Sequence, residues 1–175
     1  MSRVIHWLQH HERRVFFWVN HRLHHAVLDF ILPRITHLGG AAFTILFTVG
    51  LAVFAETPWR IIGLQSLVAL AVSHVPVAIL KKKYPRLRPY LVLPETKIGK
   101  NPLTDHSFPS GHTTAIFSVV VPFVAAMPAI GLTLLPIAFS VAVSRIYLGL
   151  HYPSDCLAGC LIGSLAALGS VAFVG

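Results

Sequence analysis

Thr113–Ser144 reads TTAIFSVVVPFVAAMPAIGLTLLPIAFSVAVS, without one formal charge from end to end. As a single helix it would be about 48 Å long at ~1.5 Å per residue, too long for one bilayer crossing. Pro128 and Gly131 interrupt it near its middle, with few polar residues nearby to form a long loop. The stretch therefore predicts two membrane helices joined by a tight turn. Working outward, Leu38–Ala55, Ile61–Leu80 and Leu157–Gly175 also carry no formal charge. Each approaches the ~20 apolar residues that a crossing needs.

Composition agrees. The chain is 55% hydrophobic and only 11% charged, with a mean hydropathy of +0.71, whereas roughly a quarter of a soluble domain is charged. Membrane protein is therefore the leading class for this chain of 175 residues. No linker, internal repeat or low-complexity tract divides the chain, so residues 1–175 are expected to form one domain. The expected fold is all-α, an integral membrane bundle of five to six transmembrane helices.

Residues 1–36 differ from the rest. Five arginines, six histidines, Trp7, Trp18 and the Phe16-Phe17 pair suit an N-terminal amphipathic segment lying at the interface. A sixth crossing over Val15–Leu32 is the alternative, but Asn20, Arg22, His24, His25 and Asp29 are costly in lipid. The segment lacks the uninterrupted apolar core of a signal peptide. Its histidines have no cysteine beside them, and metal binding is not the favoured reading. Cys156 and Cys160 stand four apart in the last apolar run, where a disulfide would staple nothing, and read as small apolar residues.

The net charge is +8, and 13 of the 14 Lys and Arg lie in residues 1–36, in Lys81–Lys100 or at Arg145. Such a distribution suits a surface facing anionic headgroups, or a site that holds phosphate. If the helices alternate in direction, the segment 81–112 and the segment Arg145–Asp155 share one membrane face. Three polar motifs lie there. KKKYPRLRP supplies Lys81 and Arg88, a point charge and a planar fork for phosphate oxygens; Lys82, Lys83 and Arg86 read as a headgroup anchor. FPSGH places Ser110, Gly111 and His112 at a helix start, where unsatisfied backbone N–H groups attract an anion and a histidine can donate a proton. Ser144-Arg145, five residues, His151, three residues and Asp155 set a carboxylate one turn after a histidine. That carboxylate can accept one ring N–H and leave the other nitrogen free to attack. Arg145 can stabilise charge on a transferring phosphoryl group.

In this order the motifs resemble those of the type 2 phosphatidic acid phosphatases, the lipid phosphatases related to acid haloperoxidases. The pattern K-x6-R-P, P-S-G-H, S-R-x5-H-x3-D is met by Lys81–Pro89, Pro109–His112 and Ser144–Asp155 without a departure. The resemblance implies that His151 attacks phosphorus, Asp155 orients it, and His112 protonates the leaving group and later activates water. Lys81, Arg88, Ser110, Gly111 and Arg145 would bind phosphate. No metal or other cofactor is implied. The implied partners are a lipid phosphate substrate and membrane lipids; no nucleic acid is expected, and the oligomeric state is left open. Undecaprenyl diphosphate is the first candidate substrate, with phosphatidylglycerol phosphate or phosphatidic acid as alternatives. The expected location is the cell (cytoplasmic) membrane of a bacterium, with the site on the outer face.

Two non-enzyme readings stand beside this one. An anion transporter would place polar residues at the membrane midplane, and here the helix centres are nearly clean. An inactive structural membrane protein would be expected to have lost His112, His151 or Asp155, and all three are present.

Overall fold

The computed structural model describes residues 2–99 and 102–174. Helix α1 (Ser2–Phe17) runs into a wide turn at Trp18–Arg22, and α2 (Ala26–Ile35) tightens into a 3₁₀ turn at Thr36–Gly39. There follow α3 (Ala41–Phe54), α4 (Trp59–Lys83), the single turn α5 (Pro89–Val92) and α6 (Gly111–Ala126). A 3₁₀ turn at Pro128–Ile130 leads to α7 (Gly131–Tyr147), and α8 (Pro153–Phe173) is the last helix among the described residues. No strand occurs among the described residues.

Among the described residues, three helices are long and apolar enough to cross a membrane: Trp59–Lys83, Pro128–Tyr147 and Pro153–Phe173. Ala26–Gly39 and Ala41–Phe54 pass the same test only together, as a pair bent by 53°. Helix α6 is shorter, and it is buried between α4 and α8. The apolar run Thr113–Ser144 does break at Pro128–Ile130. Helix begins well before Leu38, because Asp29 finds partners in Tyr147 and His24 that offset its cost. A straight crossing over Val15–Leu32 is not formed, since the backbone leaves the helix at Leu23–His25.

The bundle is apolar outside and sparingly polar within. Leu46, Phe54, Leu132, Leu165 and Phe173 are exposed, as side chains facing acyl chains should be. Inside, Ser118 donates to Ser73 at 2.9 Å and Ser66 to the Val119 carbonyl at 3.2 Å, the small hydroxyl contacts typical of helix pairs in lipid. Gly159 and Gly163 bring α8 against the start of α6; a Cβ at Gly159 would lie 2.6 Å from the Ser110 carbonyl oxygen. That contact fixes the end of the bundle where α4 and α7 finish and α6 and α8 begin.

Candidate active site

At that end the three motifs meet. Ser110 caps α6, its hydroxyl accepting from the Thr113 amide at 3.4 Å, while its own amide donates to the Asp155 carbonyl at 3.0 Å. Around Gly111 a Cβ would meet nothing within 4 Å, so the start of α6 is open on that side. Arg145, on the last turn of α7, sends Nη1 to Thr36 Oγ1 at 2.9 Å. Its Nε and Nη2 are buried without a partner among the described residues, two charged donors held in reserve.

The chain then reverses through Gly149, whose φ of +73° is in the left-handed region that disfavours side chains. The amides of Leu150 and His151 both donate to the Arg145 carbonyl, at 3.1 and 3.2 Å. His151 is thus pinned directly beneath Arg145 and is 1% exposed. Arg88 Nη1 lies 3.1 Å from His151 Nε2. A guanidinium only donates, so Nε2 must carry the lone pair and Nδ1 the proton. Nδ1 faces Asp155 Oδ2 at 3.6 Å, just beyond hydrogen-bond range. Burial lowers the His151 pKa to about 4; Asp155 opposes this, and Arg145 and Arg88 reinforce it. The depression favours the neutral imidazole at pH 7, its Nε2 lone pair accepting from Arg88.

Three groups outside the motifs hold this arrangement. Asp105 takes Lys81 Nζ at 2.5 Å and Arg88 Nη2 at 2.6 Å, so one carboxylate gathers both cations expected to bind phosphate. Burial pushes its pKa up, but the hydrogen bonds from Lys81 and Arg88 outweigh that and hold it at about 2. Arg86, which the sequence groups with Lys82 and Lys83 as an anchor, instead reaches inward. Its Nη1 donates to Asp155 Oδ1 at 2.8 Å, its Nη2 to Glu12 Oε2 at 2.6 Å, and it lies over the Tyr152 ring. Lys82 and Lys83 are exposed. Glu12 also accepts from the Ser154 amide at 3.1 Å. The sequence held no signal for Asp105 or Glu12, because neither has a fixed spacing from the residues it serves.

A cavity of about 720 Å³ opens beside the site, lined by His112, Arg145, Leu150, His37 and Lys97 among others. His112 and Arg145 thus face free volume, whereas His151 sits behind them under Arg88. Among the described residues no three His, Cys, Asp or Glu side chains converge as a metal site would require.

Comparison with known proteins gives the family. BcrC of Bacillus licheniformis, a bacitracin transport permease protein, is 32% identical over 123 residues, covering 69% of this chain and 61% of its own. The undecaprenyl-diphosphatase of Sulfolobus acidocaldarius is 30% identical over 148 residues, covering 83% of this chain and 70% of its own. The chain thus spans less than two thirds of the first relative's length. The crystal structure of Aquifex aeolicus LpxE superposes with a TM-score of 0.82 at 26% identity, over 91% of this chain and 94% of that one. The family model described as the PAP2 superfamily matches residues 62–175, which contain every motif above. By that match, the chain belongs to the PAP2 superfamily.

Proposed function

We propose that the chain is a membrane phosphatase that hydrolyses a phosphomonoester or diphosphate of a lipid through a phosphohistidine at His151. One observation carries the reading: a buried, neutral His151 whose Nε2 lone pair is turned to Arg88 while Nδ1 faces Asp155. In the first step an incoming phosphate replaces Asp105 as the partner of Lys81 and Arg88 and draws Arg88 Nη1 away from His151 Nε2. Nε2 attacks phosphorus, the bond to the leaving oxygen breaks, and His112 gives that oxygen a proton. Lys81, Arg88, Arg145, Ser110 and the Gly111 amide hold the phosphoryl oxygens. In the second step water attacks phosphorus, His112 takes its proton, and the N–P bond breaks to release inorganic phosphate and free His151.

Undecaprenyl diphosphate is the leading substrate, supported by the name of the S. acidocaldarius relative; phosphatidylglycerol phosphate and phosphatidic acid follow. Five crossings, made by the bent α2–α3 pair, α4, α6, α7 and α8, fit the apolar runs. We place the chain in a bacterial cell membrane with the site on the outer face. The basic bias of that face counts little against this placement, because Lys81, Arg88 and Arg145 serve phosphate rather than topology.

The test is phosphate release in neutral detergent from a panel of these three lipids. The wild type is expected to turn over at least one of them, His151→Ala none, and His112→Ala to be slower by about 10²–10⁴-fold. Near-normal turnover by a folded His151→Ala variant would contradict the mechanism.

A further inference from the structure

Beyond His112 the cavity is lined by more positive charge than a single phosphate requires. The turn Thr36–Gly40 forms one wall and touches both catalytic elements. Thr36 Oγ1 accepts from Arg145 Nη1 at 2.9 Å. A Cβ at Gly39 would lie 2.6 Å from the His112 carbonyl oxygen, and one at Gly40 would lie 3.8 Å from His112 Nε2. His37 is carried on this turn, exposed, at the rim beside the His112 ring.

Lys97 forms the facing wall. Its backbone is fixed by Asn20, which is fully buried: the Lys97 amide donates to Oδ1 at 2.9 Å, and Nδ2 donates to the Lys97 carbonyl at 2.9 Å. Arg34 completes the rim, folded over the Phe30 ring at 3.6 Å. Among the described residues neither Arg34, His37 nor Lys97 has an acidic partner. Asp29, the one acid on the cavity wall, is already engaged by Tyr147 and by His24 at 2.7 Å. Arg145 at the floor is 3% exposed and has two unpartnered nitrogens.

His112 is the proton donor to the leaving oxygen in the reaction proposed above, so the leaving group extends past His112 into this cavity. A glycerol or prenyl alcohol leaving group is neutral and gains nothing from three basic side chains that lack an ion-pair partner. A leaving phosphate brings negative charge and oxygen acceptors that they can hold. We propose that this cavity is a subsite for the second phosphate of a lipid diphosphate, held by His37, Lys97 and Arg34 at the rim and by one of the two free nitrogens of Arg145 at the floor, the other serving the transferring phosphate. The inference rests on the phosphatase reading and narrows its substrate class to diphosphates.

The experiment compares farnesyl diphosphate with farnesyl monophosphate as substrates of the full chain in neutral detergent, for wild type, Lys97→Gln, His37→Gln and the double variant. The readout is the ratio of the two kcat/KM values. The ratio is expected to fall about tenfold in the double variant, the loss of a hydrogen bond or two to a charged group, mostly through KM for the diphosphate. Lys97→Arg, which keeps the charge, is expected to keep the ratio. Residual turnover of the monophosphate reports that each variant is folded. An unchanged ratio, whether both activities survive or fall together, overturns the subsite and makes the rim a general attractor of anionic lipid. A wild type that cleaves the monophosphate but not the diphosphate overturns it too, while leaving the phosphatase reading intact. Only a wild type inert toward both substrates and toward the lipid panel would strike at that reading itself.

Discussion

Arg88 shows how much one side chain carries here. Its fork is divided among the Asp105 carboxylate, the Asp105 and Leu150 carbonyls, and His151 Nε2. Lysine keeps the charge but cannot serve these directions at once, so Arg88→Lys is expected to lower turnover by about 10²-fold or more, whatever the salt. Lys82→Gln with Lys83→Gln touches only exposed charge. It should weaken attraction to anionic lipid by ~1 kcal/mol per charge, and ~1 M salt should erase the difference. Turnover in anionic and neutral micelles separates the two behaviours; parallel, salt-sensitive losses would reduce Arg88 to an anchor. Asp105 gives a prediction with a sign. Its pKa is depressed from 3.8 to about 2, so the ion pairs with Lys81 and Arg88 stabilise the fold above about pH 4 and fade as pH falls toward 2. Asp105→Asn should therefore lower the thermal midpoint at neutral pH, with the gap closing in acid. A gap that widened on acidification would contradict the assignment. The residues of the three motifs were legible in the sequence because phosphate chemistry restricts residue type and spacing together. Asp105, Glu12 and the inward turn of Arg86 were not, because their contacts span 17 to 142 positions of chain separation, and no local pattern records such distances.

Among the elements, α1 meets the site along one face: Phe16 is fully buried against Tyr152 and Glu12 bonds the start of α8, while Trp7, His10, Arg13 and Arg14 are exposed. The link from α1 to the reacting histidine is short: Glu12 to Arg86, Arg86 to Asp155, and Asp155 beside His151. Asp155 accepts two hydrogen bonds, from Arg86 and from the Tyr152 amide at 2.8 Å, and these fix its carboxylate under the imidazole. Arg86→Gln removes the charged one. The expected result is about a tenfold or larger drop in kcat, on the scale of one hydrogen bond to a charged group, with KM little changed. Because the Arg86–Asp155 contact is buried on the carboxylate side, high salt should not rescue it. A variant with normal kcat would show that α1 merely packs beside the site.

At the scale of the whole molecule, charge-free runs made the bundle legible, since lipid forbids unpaired charge over the length of a crossing. The same rule hid the start of the first bent pair. Asp29 looks prohibitive in sequence and becomes tolerable only through Tyr147, 118 residues away. The architecture then has a plain logic: an apolar exterior, α6 and α8 locked by Gly159 and Gly163, and every reactive group at one end. The central claim is that His151 takes the phosphoryl group. Its most direct measurement is rapid acid-free quenching of the enzyme with a substrate labelled in its terminal phosphate, followed by mapping of the protein-bound label. The account predicts a base-stable, acid-labile label on His151 that is absent from His151→Ala. Turnover without any such label, accompanied by inversion at phosphorus, would mean that water attacks directly and that His151 is not the nucleophile.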